Sequence, residues 1–482
     1  MLTVRKEKEV IYRRVCLLGI GMLLLGGCTV GPNYVRPKAE APADYKETPQ
    51  NFKEAQPSDA ISKGKWWQIY EDPQLNDLEE QVSVSNQTLK AEQAQFAAAR
   101  AAVRIARSQS YPTATGGLSA SHQSESYNRP LGSNNLYYQD YQLPVDVSYE
   151  PDLWGRVRRL VEANRSEAQA TAADLANVQL SLQAELAVDY FELRGLDAQE
   201  KLLTSTVESY QKALELTQTR YQGGVATAVD VAQAQTQLET TRAESIDVAV
   251  NRAAYEHAIA VLVGKPASTF ALPPLSLQTP PPPVPPGVPS DLLERRPDVA
   301  AAERRVQESN AQIGVAKSAY YPNVTLLAGG GFESGALGTF LQGASGFWTL
   351  AGQASELIFD GGQRRGVNEQ ARAFYDKSVD NYRQTVLTAF QEVEDNLAAL
   401  RVLQEEASTE DAAVMAAQRS LDLSTTRYRG GVTNYLEVTT AQSAALTDEV
   451  TALNILIRRM NASVLLIKAI GGGWDASQIP PI

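Results

Sequence analysis

The spacing of apolar and polar positions changes several times along the chain, and it does so twice in the same order. From about 75 to 110 the sequence is Ala- and Gln-rich, free of Pro and helical in character. Tyr111-Pro112 then stops the helix, because proline bars its predecessor from helical angles. At 142–150 the period drops to two. Leu143, Val145, Val147 and Tyr149 alternate with Gln142, Pro144, Asp146, Ser148 and Glu150, predicting a strand with one apolar and one polar face. Segment 113–124, small, polar and Gly-rich, is its predicted partner. A Pro-free helical run follows over 156–222, Gly223-Gly224 breaks it, and a return helix covers about 227–264.

The second half repeats this plan. It predicts a helix over 290–320 with Pro297 near its start, a stop at Tyr321-Pro322, and strands over 323–333 and 347–359. Those strands carry Val324, Leu326, Trp348, Leu350 and Ile358. The loops near 125–135 and 334–346 are rich in Gly, Ser and Asn. A long helix over 363–429 and a return helix over 434–470 complete the half. In the return helix Leu446, Val450, Leu453, Ile457, Met460, Val464 and Ile467 form a heptad seam, the mark of coiled-coil packing. Arg220-Tyr221-Gln222-Gly223-Gly224-Val225 recurs 207 residues later as Arg427-Tyr428-Arg429-Gly430-Gly431-Val432. Leu153-Trp154-Gly155-Arg156 has a looser counterpart in Phe359-Asp360-Gly361-Gly362. The landmarks divide the chain into a leader 1–27, an N-terminal segment 28–74, a first repeat 75–272, a Pro-rich linker 273–289, a second repeat 290–470 and a tail 471–482.

The first residues read as a targeting segment. Arg5, Lys6, Lys8, Arg13 and Arg14 precede an apolar run from Val15 to Leu25, too short to span a bilayer. Leu25-Gly26-Gly27-Cys28 has the pattern of a bacterial lipobox. Cys28 is then the expected site of S-diacylglycerol and N-acyl attachment, and two attached lipids anchor firmly. Cys16 leaves with the leader, so no disulfide is expected.

Composition narrows the function. A net charge of -12 argues against a nucleic-acid partner. His122 and His257 stand far apart without a neighbouring Cys, so neither a zinc site nor any other cofactor is expected. No pair of carboxylates stands out as an acid–base couple, and the Gly329–Gly331 and Gly471–Gly473 runs lack the Lys-Ser/Thr of a phosphate loop. The expectation is a protein that is not an enzyme.

Four short alternating strands per chain cannot close a barrel, and lipid does not tolerate open sheet edges. Three copies supply twelve strands, an even number that closes. The long helices, at ~1.5 Å per residue, reach on the order of 100 Å and are too polar for lipid. The predicted fold class is therefore α+β: a trimeric twelve-stranded outer-membrane β-barrel, continuous with a periplasmic α-helical coiled-coil barrel and built from two internal repeats.

Several motifs resemble those of the TolC-like outer-membrane efflux factors, in particular the OprM/NodT lipoprotein branch. After Cys28 comes Thr29-Val30-Gly31-Pro32-Asn33-Tyr34, with Asn33 where that branch usually has Asp. Trp66-Trp67 and Asp72-Pro73-Gln74-Leu75 follow. The central stretch runs from Pro289-Ser290-Asp291-Leu292-Leu293-Glu294-Arg295-Arg296-Pro297-Asp298-Val299 to Ala302-Glu303, and the paired Arg-Tyr-x-Gly-Gly tips complete the set. The resemblance implies an equatorial domain, a periplasmic adaptor and an inner-membrane pump of the resistance-nodulation-division type as partners, and passive conduction of drugs or other small molecules. It also implies adaptor docking at the tips, Gly223, Gly224, Val225, Gly430, Gly431 and Val432. It further implies a periplasmic aperture near the second tip, where Leu421, Asp422 and Thr425 lie on neighbouring turns, with Arg427 or Arg429 able to pair with Asp422. A protein-secretion duct, or a pore-less coiled-coil scaffold lipoprotein, is the alternative.

Overall fold

The computed structural model describes residues 29–39, 41–47, 64–124, 126, 137–277, 279–284 and 289–482. The leader and Cys28 lie outside the described residues. In chain order the principal elements are α1 (Pro73–Ser85), α2 (Gln87–Ser108), β1 (Thr113–Gly116), β2 (Ser119–Ser124), β3 (Tyr137–Tyr149), α3 (Arg156–Gln222), α4 (Ala228–Leu262), α5 (Pro297–Ser318), β4 (Asn323–Ser334), β5 (Gly346–Ser355), α6 (Gln363–Arg429) and α7 (Tyr435–Ala469). The long helices α3 and α6 have 67 residues each, and the return helices α4 and α7 have 35 each. All four keep the same sequence offset, so the duplication read from the motifs is a duplication of helix lengths.

The helix expected over 75–110 is two helices. Asn86 divides them: its side-chain oxygen accepts from Leu89 N–H at 2.9 Å, and its amide donates to the Leu262 carbonyl at 2.8 Å. One side chain thus caps the start of α2 and fastens the end of α4. The Gly-rich tips, by contrast, end α3 and α6 where the sequence predicts.

The strands form one antiparallel sheet in the order β1/β2–β3–β4–β5. β1 and β2 share a lane in unbroken register against β3, from Thr113 opposite Ser148 to Ser124 opposite Tyr137. The ladder lapses only at Gly117-Leu118. Pro144, which has no N–H to give, lies across from this point, and Gly117 N–H donates to the Pro144 carbonyl at 3.1 Å. The four predicted lanes are therefore present, with one interrupted. β3 begins at Tyr137 rather than near 142. β5 ends at Ser355 rather than 359, because its partner β4 begins at Asn323, directly after Pro322, and nothing remains to pair with 356–359. Ile358 lies in the connection to α6, not in a strand.

Register partners share a sheet face. Leu143, Val145, Val147, Leu326, Ala328, Phe332, Trp348 and Leu350 fall on one face, and Asp140, Gln142, Asp146, Ser148, Thr325, Glu333, Thr349 and Gln353 on the other. The alternation read in β3 thus extends across the sheet, with Leu327, Phe347 and Ala351 as apolar exceptions on the polar face.

The main core lies where α1, α3, α6 and α7 meet, around Leu75, Val82, Leu186, Tyr190, Val393, Val464 and Ile467. Arg296, from the central motif, is buried here. It donates to the Ala469 carbonyl at 3.0 Å and to Glu392 at 2.6 Å, tying the start of α5 to the end of α7 and to α6. The lower part of the α7 seam is fully packed: Ile457, Met460, Val464 and Ile467 are buried, while Leu446, Val450 and Leu453 are half-buried.

Glu79, in α1, is completely buried, and neither carboxylate oxygen has a partner among the described residues. Burial pushes its carboxyl well above the usual range, so folding takes up a proton there. For a raised folded-state value, stability is present at acid pH and is lost as pH rises above the unfolded value near 4.5. Glu79→Gln is therefore expected to exceed the parent in stability at pH 8, with the gap closing at pH 4. Thermal melts at the two pH values test this; a constant gap would count against it.

Candidate functional site: two helical tips and an N-terminal strap

Both tips are built on the same backbone device. At the first, Gly223 N–H bonds the Thr219 carbonyl at 3.0 Å, Val225 N–H bonds the Arg220 carbonyl at 2.8 Å, and Gly224 sits at φ +73°. At the second, Gly430 bonds Thr426, Val432 bonds Arg427, and Gly431 sits again at φ +73°. Left-handed backbone favours glycine at the second position of each pair. Gly223 and Gly430 have negative φ, and an added Cβ would meet neighbours only at ordinary contact distance, so they tolerate a side chain. Val225 and Val432 project into solvent. The return helices start differently. Thr227 and Asp230 form a reciprocal capping box at α4, whereas Asn434 makes no side-chain cap at α7.

The two tips are fastened to each other. Tyr210, Leu214, Ala234, Leu238, Tyr428, Tyr435 and Val438 form a small separate core. The Arg220 guanidinium lies 4.7 Å from the centre of the Tyr428 ring and donates to the Arg429 carbonyl at 3.0 Å. Tyr428 Oη reaches Thr217 Oγ1 at 3.3 Å, Tyr210 Oη donates to the Gln442 carbonyl at 3.1 Å, and Tyr435 N–H donates to Asp230 at 3.4 Å. Burial pushes the Tyr435 hydroxyl up to about 12. The repeats diverge here: Tyr221 is exposed, while its counterpart Tyr428 is buried under an arginine from the other repeat. The repeated Arg-Tyr-x-Gly-Gly motif makes the two tyrosines equivalents and so hides the fastening. The available signal was Tyr428 and Tyr435 bracketing the Gly-Gly turn, where the first repeat has Tyr221 and Ala228.

Of the residues expected at the aperture, Leu421 and Thr425 are half-buried and Asp422 and Arg427 are exposed. Arg427 pairs with Glu437 across its own hairpin at 3.5 Å, not with Asp422. Asp422 takes part in no ion pair among the described residues. Leu423 and Leu436 are also exposed near this tip.

From the base of the sheet, residues 29–39 and 41–47 form a strap across both repeats. Val30 N–H bonds the Trp154 carbonyl at 3.0 Å, Arg159 donates to Asn33 at 3.0 Å, and Asn310 donates to the Pro32 carbonyl at 3.1 Å. Thr29 packs against Gly155, and Gly31 against Gly314, so closely that no side chain fits at either glycine. Tyr34 donates to Glu303, and burial raises its hydroxyl far above the usual range. Lys46 and Glu47 N–H groups share the Glu394 carboxylate, and Glu47 pairs with Arg401 at 2.6 Å. Trp154 stacks on Tyr321 at 4.9 Å and donates to the Pro322 carbonyl at 2.8 Å, so the first repeat's sheet end rests on the second repeat's.

A family model described as outer membrane efflux protein matches residues 78–265 and 288–472. The toluene efflux pump outer membrane protein TtgF of Pseudomonas putida is 33% identical over 471 residues, covering 95% of this chain and 96% of that protein. Among solved structures, the outer-membrane channel OprN is 30% identical with a TM-score of 0.85 over 93% of this chain and all of that one. The Campylobacter jejuni CmeC outer membrane channel is 26% identical with a TM-score of 0.87, covering 94% and 96%.

Proposed function

We propose, from the premise that the chain belongs to the outer membrane efflux protein family, that three copies close into one continuous duct across the outer membrane and the periplasm. The protein is an outer-membrane efflux channel, and the secretion-duct and scaffold alternatives are not favoured by its relatives. The observation that carries the closed duct is the sheet: four lanes, apolar on one side and polar on the other, with β1/β2 and β5 as outer lanes free to pair. Three such sheets joined edge to edge make twelve strands with no open edge, the apolar face toward lipid and the polar face toward water. Helices of 67 residues then carry the duct about 100 Å into the periplasm.

The geometry of the strap supports lipid attachment at Cys28. Thr29 rests on Gly155, a few residues beyond the end of β3, so the described strap begins at the helix-side end of the sheet, the end that faces the inner boundary of the membrane in this reading. Acyl chains there enter the same leaflet that surrounds the sheet. At the far end, Gly223, Gly224, Val225, Gly430, Gly431 and Val432 offer uncovered backbone to a periplasmic adaptor, which couples the duct to an energised inner-membrane pump. Leu421, Asp422, Thr425 and Arg427 border the aperture that opens and closes beside the second tip. An exposed, unpaired Asp422 repeated three times favours cations at that point.

Gly223→Glu and Gly430→Glu test the tips without straining the backbone, since both positions have ordinary φ and no close contact at the Cβ. The expected outcome is intact trimer and unchanged single-channel conductance in planar bilayers. Adaptor cross-linking and drug resistance of the host should fall to near the level of a deletion strain. Full resistance in the double variant would place adaptor contact elsewhere.

A further inference from the structure

The connection between β4 and β5, residues 335–345, lies at the end of the sheet remote from the helices, where the duct meets the exterior. A loop at a barrel mouth can lean over the pore or over the surrounding lipid. The sheet face that it touches decides which. Three contacts fall on one face. Tyr141 and Ser334 are register partners and therefore share a face with Leu143 and Phe332, the apolar one. Phe340 packs its ring 6.2 Å from that of Tyr141 and is only 8% exposed. Ser334 Oγ bonds Thr339 Oγ1 at 2.7 Å and receives the Ala336 N–H at 3.2 Å. Ser345 Oγ closes the loop by donating to the Thr339 carbonyl at 2.8 Å.

The loop is thus a compact turn folded back onto the apolar face. Its outer surface presents Leu337 and Leu341, each about two-thirds exposed, and residues 335–345 contain no charged side chain. Trp348 and Leu350, in β5 just beyond the loop, are both strongly exposed on the face that the loop folds onto. An apolar, uncharged patch beside a lipid-facing surface costs nothing in charge desolvation on entering hydrocarbon.

Resting on the trimeric-barrel reading above, we infer that the β4–β5 loop is a lipid-engaging flap: Phe340 pins it to the outside of the barrel, and Leu337 and Leu341 dip into the acyl chains of the outer leaflet, leaving the pore mouth clear of this loop. Residues 29–482 contain no cysteine, which makes single-thiol labelling direct. Leu337→Cys and Leu341→Cys, carrying a nitroxide, are reconstituted as full-length trimer in phosphatidylethanolamine–phosphatidylglycerol vesicles. Leu350→Cys and Thr349→Cys mark the outer and the inner barrel face. The expected result is that both loop sites lose relaxation by a water-soluble nickel complex and gain it from oxygen, matching Leu350→Cys. Water-like accessibility at the loop, with Leu350→Cys in lipid, overturns the inference while sparing the barrel. Water-like accessibility at Leu350→Cys overturns the barrel and the inference together. A 5-kDa polymer attached at Leu341→Cys supplies a second readout: conductance stays unchanged if the flap leans outward, and a blocked channel places the loop over the pore and refutes it.

Discussion

Replacing Arg194 by alanine is expected to lower folding stability by about 3–5 kcal/mol, the cost of removing one partner from a buried ionic network. Arg194 is almost fully buried. It donates to Asp197 at 2.8 Å, to the Pro273 carbonyl at 2.8 Å and to Gln74, and it lies 4.7 Å from the centre of the Tyr190 ring. Asp197, equally buried, also accepts from Arg252 at 2.7 Å and from Leu275 N–H at 2.8 Å. Tyr190 in turn donates to Asp72, the residue that caps α1. One guanidinium therefore holds α1, α3 and the start of the Pro-rich linker together, and Asp197 brings in α4. Its loss leaves a buried carboxylate with one cation instead of two. Arg194→Lys should recover only part of the loss, because an ammonium cannot fork between an acid, an amide and a carbonyl. Thermal dissociation of purified trimer measures both; an alanine variant that melts with the parent would show the network to be dispensable.

The second large effect is expected in the sheet. At Gly331 an added Cβ would stand 2.0 Å from the Leu143 carbonyl oxygen, a backbone atom that cannot swing aside. Gly331→Ala must therefore part β3 from β4 at the centre of the sheet, at a cost of about 3 kcal/mol or more. If those lanes form the wall of a shared barrel, the defect repeats three times per assembly. The expected outcome is loss of heat-resistant trimer and of conductance, with helical circular dichroism retained. Gly338→Ala, in open space in the β4–β5 loop, is the control and should behave as the parent. Normal trimer in Gly331→Ala would mean that the strands move apart freely there.

How much of this was legible beforehand depended on whether a residue acts locally or at a distance. The limits of α3 and α6 were readable because Gly-Gly ends each helix and no proline interrupts either. The polar and apolar faces of β3 were readable because period two is a local property. The break at Asn86 was not, since its cause is a carbonyl at Leu262 far along the chain. Nor were the early start of β3 at Tyr137, set by pairing with Ser124, or the end of β5, set by Pro322 on its neighbour. At the tips, the Gly-Gly turns were legible, but the Arg220–Tyr428 contact was hidden by the repeat itself. The motif suggests two equivalent tips, whereas packing buries one tyrosine and exposes the other.

The strap also orders events in time. Several of its partners lie late along the chain: Glu303, Glu394 and Arg401 must all be present before Tyr34, Lys46 and Glu47 can find them. A chain delivered from its N-terminus can therefore seat Val30 and Asn33 early, on Trp154 and Arg159, but carries Lys46 and Glu47 unattached until more than three quarters of it has been delivered. The late closures span 269 to 354 residues, and contacts of such separation form slowly. The far half of the strap thus docks last, and its docking marks the completion of a protomer ready to meet its two neighbours.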